Sequence, residues 1–169
     1  MDEAKIKYFS ERSRPRVYLD TSVISYLDQQ DAPERMAETK EVWEILKKGR
    51  YDIYISTRVT EELEKCREPK RTILFGHLDE IDYTLLQVDE ETVGLAEKFI
   101  DFGVLKKKSI IDCQHISAAI LAGCDIIVSW NFKHIVNFKT MKGIKVITTL
   151  EGYKDILIYP PPALLEEVE

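Results

Sequence analysis

Three acidic residues stand where a carboxylate can take part in chemistry. Asp20 directly follows the apolar run 17–19, Glu62 comes shortly after a second apolar run, and Asp112 opens an apolar helical stretch. In an open α/β sheet, ligands bind at the carboxyl ends of the strands. Carboxylates that converge there repel each other, and burial adds to that cost, unless a cation neutralises them. The pattern therefore predicts a site for a hard divalent ion, Mg²⁺ or Mn²⁺.

Short apolar runs alternate with segments of helical periodicity along the chain. We predict strands at 16–19, 51–56, 83–88, 126–129 and 145–148. We predict helices at 22–29, 32–48, 59–66, 90–102 and 110–122, with a short helix or loop at 70–78. This alternation is typical of a parallel sheet with helices on both faces. The expected fold class is α/β, with three layers and a central parallel sheet of four to five strands.

The length of 169 residues predicts a single folded domain. We place it at 16–150, between an amino-terminal arm at 1–15 and an acidic, proline-rich tail at 151–169, in which Pro160 to Pro162 are expected to prevent regular structure. No apolar run approaches the roughly 20 residues of a membrane span. Three cysteines without C-x-x-C spacing fit a reduced compartment. We expect no membrane association and a cytoplasmic location.

The charges are unevenly distributed along the chain. The net charge of −6 argues against nonspecific binding of nucleic acid. Residues 126–150, however, contain no Asp or Glu but carry Lys133, Lys139, Lys142 and Lys145. An acidic site beside a basic segment is compatible with a metal-dependent enzyme that acts on phosphates, and ordinary solvated helix faces explain the same charges equally well.

Four short motifs follow one another in the chain. They are Val17-Tyr-Leu-Asp-Thr-Ser-Val, Val59-Thr-Glu-Glu-Leu, Asp112-Cys-Gln-His-Ile-Ser-Ala-Ala-Ile and Ser129-Trp-Asn-Phe-Lys-His. In this order they resemble the PIN-domain nucleases, particularly the VapC-like toxins. Each motif is weak alone, but the four together, from about residue 17 to 147, are fairly specific. The resemblance implies a PIN-like fold and a site of three or four acids on metal ions that cuts RNA.

The resemblance also assigns the site residues. It implies that Asp20, Glu62 and Asp112 are catalytic and ligate the metal ion. The fourth family position usually carries Asp, and here it falls on Asn131. Asparagine keeps a carbonyl oxygen that can ligate a metal or orient a water molecule, but it removes one negative charge. We therefore expect a weaker second metal site.

Two assignments near these acids need a choice between neighbours or roles. Glu61 adjoins Glu62, and the register with Leu63 favours Glu62 as the site acid. His115 lies one helical turn after Asp112 and shares its face. We expect His115 to be a packed, hydrogen-bonded histidine, although it stands within reach of the site.

Other polar residues are expected to support the site. Thr21 and Ser22 can hold the carboxylate of the first acid and cap the following helix. Ser129 is placed to touch a phosphate or another ligand. Lys133 and His134 either meet RNA phosphate or simply form a turn.

Several alternatives remain open at this stage. A haloacid-dehalogenase-like phosphatase also starts with Asp after a buried strand, but it needs a second acid where this chain has Ser22. Neither G-x-x-x-x-G-K-[ST] nor G-x-G-x-x-G is present. A non-catalytic PIN-like module that binds RNA or a protein remains possible. The family resemblance implies a homodimer and either a toxin with an antitoxin partner or an RNA-processing nuclease without one.

Overall fold

The computed structural model describes residues 14–166, which form a five-stranded parallel sheet with helices on both faces. The strands are β1 (Arg16–Leu19), β2 (Asp52–Ser56), β3 (Tyr83–Leu86), β4 (Ile126–Val128) and β5 (Leu157–Tyr159). The helices are α1 (Thr21–Ser25), α2 (Pro33–Lys47), α3 (Thr57–Glu64), α4 (Lys70–Leu78), α5 (Glu90–Asp101), α6 (Ile110–Leu121), α7 (Phe138–Glu151) and α8 (Pro162–Glu166). The predicted three-layer α/β/α class is confirmed, while the predicted arm at 1–15 lies almost wholly outside the described residues.

Alternation along the strands builds a separate core on each face of the sheet. Val17 and Leu19 of β1 pack into the core that contains Trp43 of α2. Tyr18, between them, packs into the core on the opposite face, with Phe99 of α5. Successive side chains of a strand point to opposite faces, so a continuously apolar strand must be covered on both sides. This is why the sheet lies between two helical layers.

The strand order places one crevice at the carboxyl edge of the sheet. The spatial order is β3-β2-β1-β4-β5, so the chain leaves β1 toward β2 and β3 and later returns to the other side of β1. Ligand sites of open α/β sheets lie where the order reverses in this way. Asp20 follows β1 and Ser129 follows β4, so both stand at that point, and the Asp20 N–H donates to the Val128 carbonyl at 3.3 Å.

The predicted strand at 145–148 is wrong. These residues lie inside α7, where Ile144, Ile147 and Thr148 are buried on one face at helical spacing. The β-branched side chains favoured a strand, but their spacing of three and four residues fits a helix buried on one side. The fifth strand is β5, which pairs in parallel with β4.

The expectation that the prolines prevent regular structure is also wrong. Strand β5 ends at Tyr159, directly before them, and α8 begins at Pro162. Proline is well tolerated in the first turn of a helix because the N–H it lacks has no partner there. Leu164 of α8 is fully buried in the core. None of the helices between residues 14 and 166 is long and apolar enough to cross a membrane.

Candidate active site

Three acidic side chains from separate elements approach each other at the carboxyl edge of the sheet. Asp20 follows β1, Glu62 lies on α3, and Asp112 is in the first turn of α6. Asp20 is only 4% exposed, whereas the other two are half-buried. Burial raises the pKa of Asp112, and the negative charges of Asp20 and Glu62 raise it further. The fold therefore brings together the three acids that the sequence singled out.

Asp20 is fixed by hydrogen bonds to both of its carboxylate oxygens. The backbone N–H and the hydroxyl of Ser22 donate to Oδ1 at 3.1 and 2.5 Å, and the Ser129 hydroxyl donates to Oδ2 at 2.5 Å. Burial raises the pKa of Asp20, although His115 and these hydroxyls act in the opposite direction. Ser22 holds the carboxylate as expected. Ser129 is fully buried and orients Asp20, so its hydroxyl is not placed to touch a phosphate.

Glu62 is held by two donors on the same oxygen. The hydroxyl of Thr21 donates to Oε1 at 2.8 Å, and Nε2 of His115 lies 2.6 Å from that oxygen. Burial raises the pKa of Glu62, but the hydrogen bond and charge of His115 outweigh it, so this pKa lies below its ordinary value. Thr21 was expected to hold Asp20 and instead holds Glu62.

A buried hydrogen-bonded chain continues from Glu62 into the core. Nδ1 of His115 lies 2.7 Å from the Tyr18 hydroxyl, which lies 2.8 Å from the hydroxyl of Ser56. Because an ionised carboxylate only accepts, the hydrogen bond between Glu62 and His115 requires a proton on Nε2 of His115. Burial raises the pKa of Tyr18, so its hydroxyl stays protonated and can donate.

This chain from Glu62 to Ser56 was only partly foreseen. His115 is buried and hydrogen-bonded as expected, and it also contacts a site acid. Tyr18 was not singled out as a site residue from the sequence. The available signal was a phenol in the middle of a buried strand, next to Asp20, because a buried hydroxyl requires a hydrogen-bond partner.

Asn131 faces Asp112 with its amide nitrogen. Nδ2 donates to Oδ1 of Asp112 at 3.2 Å, while the Asn131 side-chain oxygen accepts the backbone N–H of His134 at 2.9 Å. The second bond fixes the orientation of the amide, since an oxygen must face that N–H. The expected carbonyl ligand therefore points into its own loop, and the group presented to Asp112 is a neutral donor.

The donor set fits a hard cation, although the side chains are held by other bonds here. Within residues 14–166, no three His, Cys, Asp or Glu side chains are gathered around one point as a metal site requires. Glu62 and Asp112 are held by hydrogen bonds from Thr21, His115 and Asn131. Across the described chain, no donor reaches the second oxygen of either carboxylate. Carboxylates without sulfur ligands match Mg²⁺ or Mn²⁺ in chemistry.

Solvent reaches Glu62 and Asp112 through a pocket of about 310 Å³. Its wall includes Glu61, Glu62 and Asp112, together with Arg58 and Lys65. Arg58 is held by Glu61 at 2.7 Å and by Gln114 at 2.5 Å. Glu61 is thus paired with Arg58, whereas Glu62 is held by Thr21 and His115, and the choice of Glu62 as the site acid stays a prediction.

The comparisons with known proteins agree with this architecture. A family model described as PIN domain matches residues 17–133. The search of curated proteins found no significant match. A similar solved structure is the crystal structure of VapBC2 from Rickettsia felis bound to a DNA fragment from their promoter. The matched chain is 15% identical with a TM-score of 0.52, and the match covers 86% of this chain and 98% of that one. At that identity the likeness shows a shared fold.

Proposed function

The chain belongs to the PIN-domain family, and we propose that it is an endoribonuclease that hydrolyses RNA phosphodiester bonds with Mg²⁺ or Mn²⁺. One observation carries the proposal. Asp20, Glu62 and Asp112 converge at the carboxyl edge of the sheet, although burial raises the pKa of both aspartates and makes their ionised forms costly. Such groups with perturbed pKa values cluster at functional sites.

The proposed reaction divides the work among these residues. A bound divalent ion supplies neutralisation of the anionic phosphodiester and acidification of a water molecule. Asp20 and Asp112 would hold that ion, with Glu62 either sharing it or accepting a proton from the attacking water. Ser22 and Ser129 would keep Asp20 in one orientation. Attack of the water on phosphorus, with departure of the 3′ oxygen, would leave a 5′-phosphate and a 3′-hydroxyl.

We further propose that this nuclease is the toxin of a VapBC-type pair, with an antitoxin that covers the acidic pocket. Support comes from the four motifs and from the fold shared with a chain of the VapBC2 complex. Expression of the chain alone should slow growth, and Asp20→Ala should relieve it. Unimpaired growth at high expression would contradict the toxin assignment and would favour an RNA-processing nuclease without an antitoxin. The homodimer and the cytoplasmic location stay predictions.

Asn131 favours a second candidate, a PIN-like module that binds RNA or a protein without cutting. It replaces the fourth acid by a neutral amide that donates to Asp112. The site therefore has less negative charge with which to hold a second ion.

Cleavage of an RNA pool in the presence of Mg²⁺ or Mn²⁺ separates the two candidates. For Asp20→Asn and Asp112→Asn we expect a fall in the cleavage rate of at least about 100-fold, since even residues that only orient metal ligands cost 10–100-fold. Asp101→Asn, an exposed acid at the end of α5, is the matched control and should keep its rate. If the wild-type chain binds RNA but never cuts it, the result supports the second candidate, the binding module. Equal cleavage by all variants would indicate a contaminant.

A further inference from the structure

A second concave surface lies beside the acidic site and carries the opposite charge. This basic cleft, about 200 Å³ in volume, runs between the segment 104–109 and the segment 133–140. Its lining contains no Asp or Glu. The charged or titratable residues in the lining are Lys106, Lys108, Lys133, His134 and Lys139.

The lysines of the basic cleft have no partners in the part of the chain that is described. Neither a hydrogen bond nor an ion pair involves the ammonium group of any of the four. Some lysines elsewhere on the surface are paired, as Lys98 is with Glu151 at 2.7 Å and Lys145 with Asp155 at 2.8 Å. Four unpaired like charges around one pocket repel each other and create a positive potential that attracts anions.

Both walls of the basic cleft lie close in the chain to residues of the acidic site. One wall is the turn Lys107–Ser109, which leads directly into α6 and Asp112. The other wall begins at Lys133, two residues after Asn131, whose side-chain oxygen accepts the His134 N–H. Short chain segments therefore link both walls of the cleft to Asp112 and Asn131.

Close packing fixes the spacing of the two walls. A Cβ atom on Gly143 of α7 would lie 2.5 Å from both methyl groups of Val104, so only glycine permits this approach. The Val104 side chain lines the cleft, and Lys139 lies on the first turn of the same helix as Gly143. The positions of the lysine-bearing backbones thus follow from a packed contact, although the lysine side chains themselves are exposed.

An exposed aromatic ring stands at the rim of the basic cleft. Phe138, the first residue of α7, is 79% exposed and lines an adjoining groove that shares Lys139 and Val104 with the cleft. Aromatic side chains next to lysines are the usual equipment for single-stranded nucleic acid, in which bases stack on the rings while phosphates meet the cations.

We propose that the basic cleft binds the phosphates of an unpaired RNA strand that leads into the acidic site, and that Phe138 stacks on one of its bases. This inference rests on the proposed function and adds the path of the substrate. An acidic segment of a partner protein is the competing occupant. The RNA strand is favoured because both walls of the cleft lie within three residues of Asp112 or Asn131, which belong to the proposed phosphodiester site, and because an aromatic ring adjoins the cleft.

The salt dependence of binding tests the lysines. In an Asp20→Asn background with Mg²⁺, affinity for a labelled oligouridylate is measured over a range of salt concentrations. Lys133→Gln with Lys139→Gln should weaken binding about tenfold and reduce the slope of log affinity against log salt by about 1.4, at roughly 0.7 per lost phosphate contact. Lys98→Gln with Lys145→Gln changes the net charge equally and should leave the slope unchanged.

A second variant tests the ring independently of charge. Phe138→Ala should weaken binding of the unpaired strand about tenfold, within the 1–3 kcal/mol expected for one stacked base, with an unchanged salt slope. A duplex of the same length should not respond. Thermal unfolding curves that match the parent chain would exclude misfolding, which is not expected because the Lys133, Lys139 and Phe138 side chains are exposed.

The outcomes separate this inference from the proposed nuclease. The inference would be overturned if the Lys133 and Lys139 double variant and the Lys98 and Lys145 double variant bound RNA with equal affinity and equal salt slope. It would also be overturned if the Lys133 and Lys139 double variant lost binding of an acidic partner protein but kept its binding of RNA. With Asp20 present, the chain can also be tested for cleavage. If RNA is cut and the Lys133 and Lys139 substitutions leave the KM for RNA unchanged, the inference is overturned but the proposed nuclease activity is supported. Lysine-dependent RNA binding by a chain that never cuts would support the cleft and overturn the nuclease.

Discussion

The acidic site and the basic cleft lie close together in the chain, near Asp112 and Asn131, yet they are built in opposite ways. In the acidic site, Asp20 is buried and bonded through both oxygens, and Glu62 is held by a buried chain that reaches Ser56. In the basic cleft, the lysine side chains are exposed and lack partners in the described chain. One region holds each carboxylate by hydrogen bonds, while the other fixes only the backbone beneath the charges.

This difference matches what each region would have to do. Hydrolysis requires reacting groups at fixed positions, because a misplacement of about 1 Å can cost 100-fold in rate. Holding a polyanion requires positive potential, and a lysine acts as a mobile point charge with three donors. Changes in the acidic site should therefore lower kcat, and changes in the basic cleft should raise KM and alter the salt dependence.

The largest effect that sharpens this comparison concerns Glu62. Glu62→Gln keeps the size of the side chain but removes the charge and the proton acceptor, so we expect kcat to fall about 10²–10⁴-fold, the usual contribution of general acid–base catalysis. Glu61→Gln, one position earlier and exposed, should change kcat little. Steady-state cleavage of one defined RNA measures both. An equal loss at Glu61 would contradict the assigned register.

A smaller effect is expected from the interior of the hydrogen-bonded chain. Tyr18→Phe removes the hydroxyl between His115 and Ser56 and should lower kcat about tenfold, with an unchanged KM for RNA. Tyr54→Phe, on the neighbouring strand and the same face of the sheet, is the matched control. A rise in KM without a change in kcat would contradict the distinction between the two regions, because the buried hydrogen bonds would then serve RNA binding.

The smallest effect concerns stability rather than rate. Burial raises the pKa of Asp112 above its value in the unfolded chain, so the ionised form destabilises the fold most above that raised pKa. In a chelator at neutral pH, Asp112→Asn should raise Tm. The gain should shrink as the pH falls through the raised pKa and vanish below the unfolded value.

Lys133→Gln provides the control for this stability measurement. The exposed, unpaired ammonium group should leave Tm nearly unchanged at every pH. If Lys133→Gln raised Tm as much as Asp112→Asn does, the charges of both regions would destabilise the fold equally. That outcome would contradict the distinction between them.

Much of the fold could be predicted because the signals were local. Asp20 and Asp112 were found because each directly follows or opens an apolar element, and the carboxyl ends of parallel strands share an edge. The helix at 70–78 and the cap at Asp89, which accepts the Thr92 N–H, also follow from neighbouring residues. The lysines of 126–150 were visible as a segment without acids.

The remaining features depend on contacts between distant segments. Nothing near Thr21 in the sequence indicates that its hydroxyl faces Glu62 rather than Asp20. Thr21 and Glu62 are 41 positions apart in the chain. The role of Ser129 depends on Asp20, 109 positions away. Lys106 and Lys108 join the basic cleft only because α7 packs closely against Val104, and Lys145 is excluded because Asp155 pairs with it.

Strand β5 has a consequence for the order in which the molecule can be completed during synthesis. The predicted site residues all precede residue 132, but the outer edge of β4 is paired by β5, and the Ser129 N–H donates to the Tyr159 carbonyl at 3.1 Å. A nascent chain that has emerged from the ribosome only as far as residue 150 contains all three site acids, but the outer edge of β4 is still unpaired. The surroundings of Asp20 therefore become complete at a late moment, once Tyr159 has emerged.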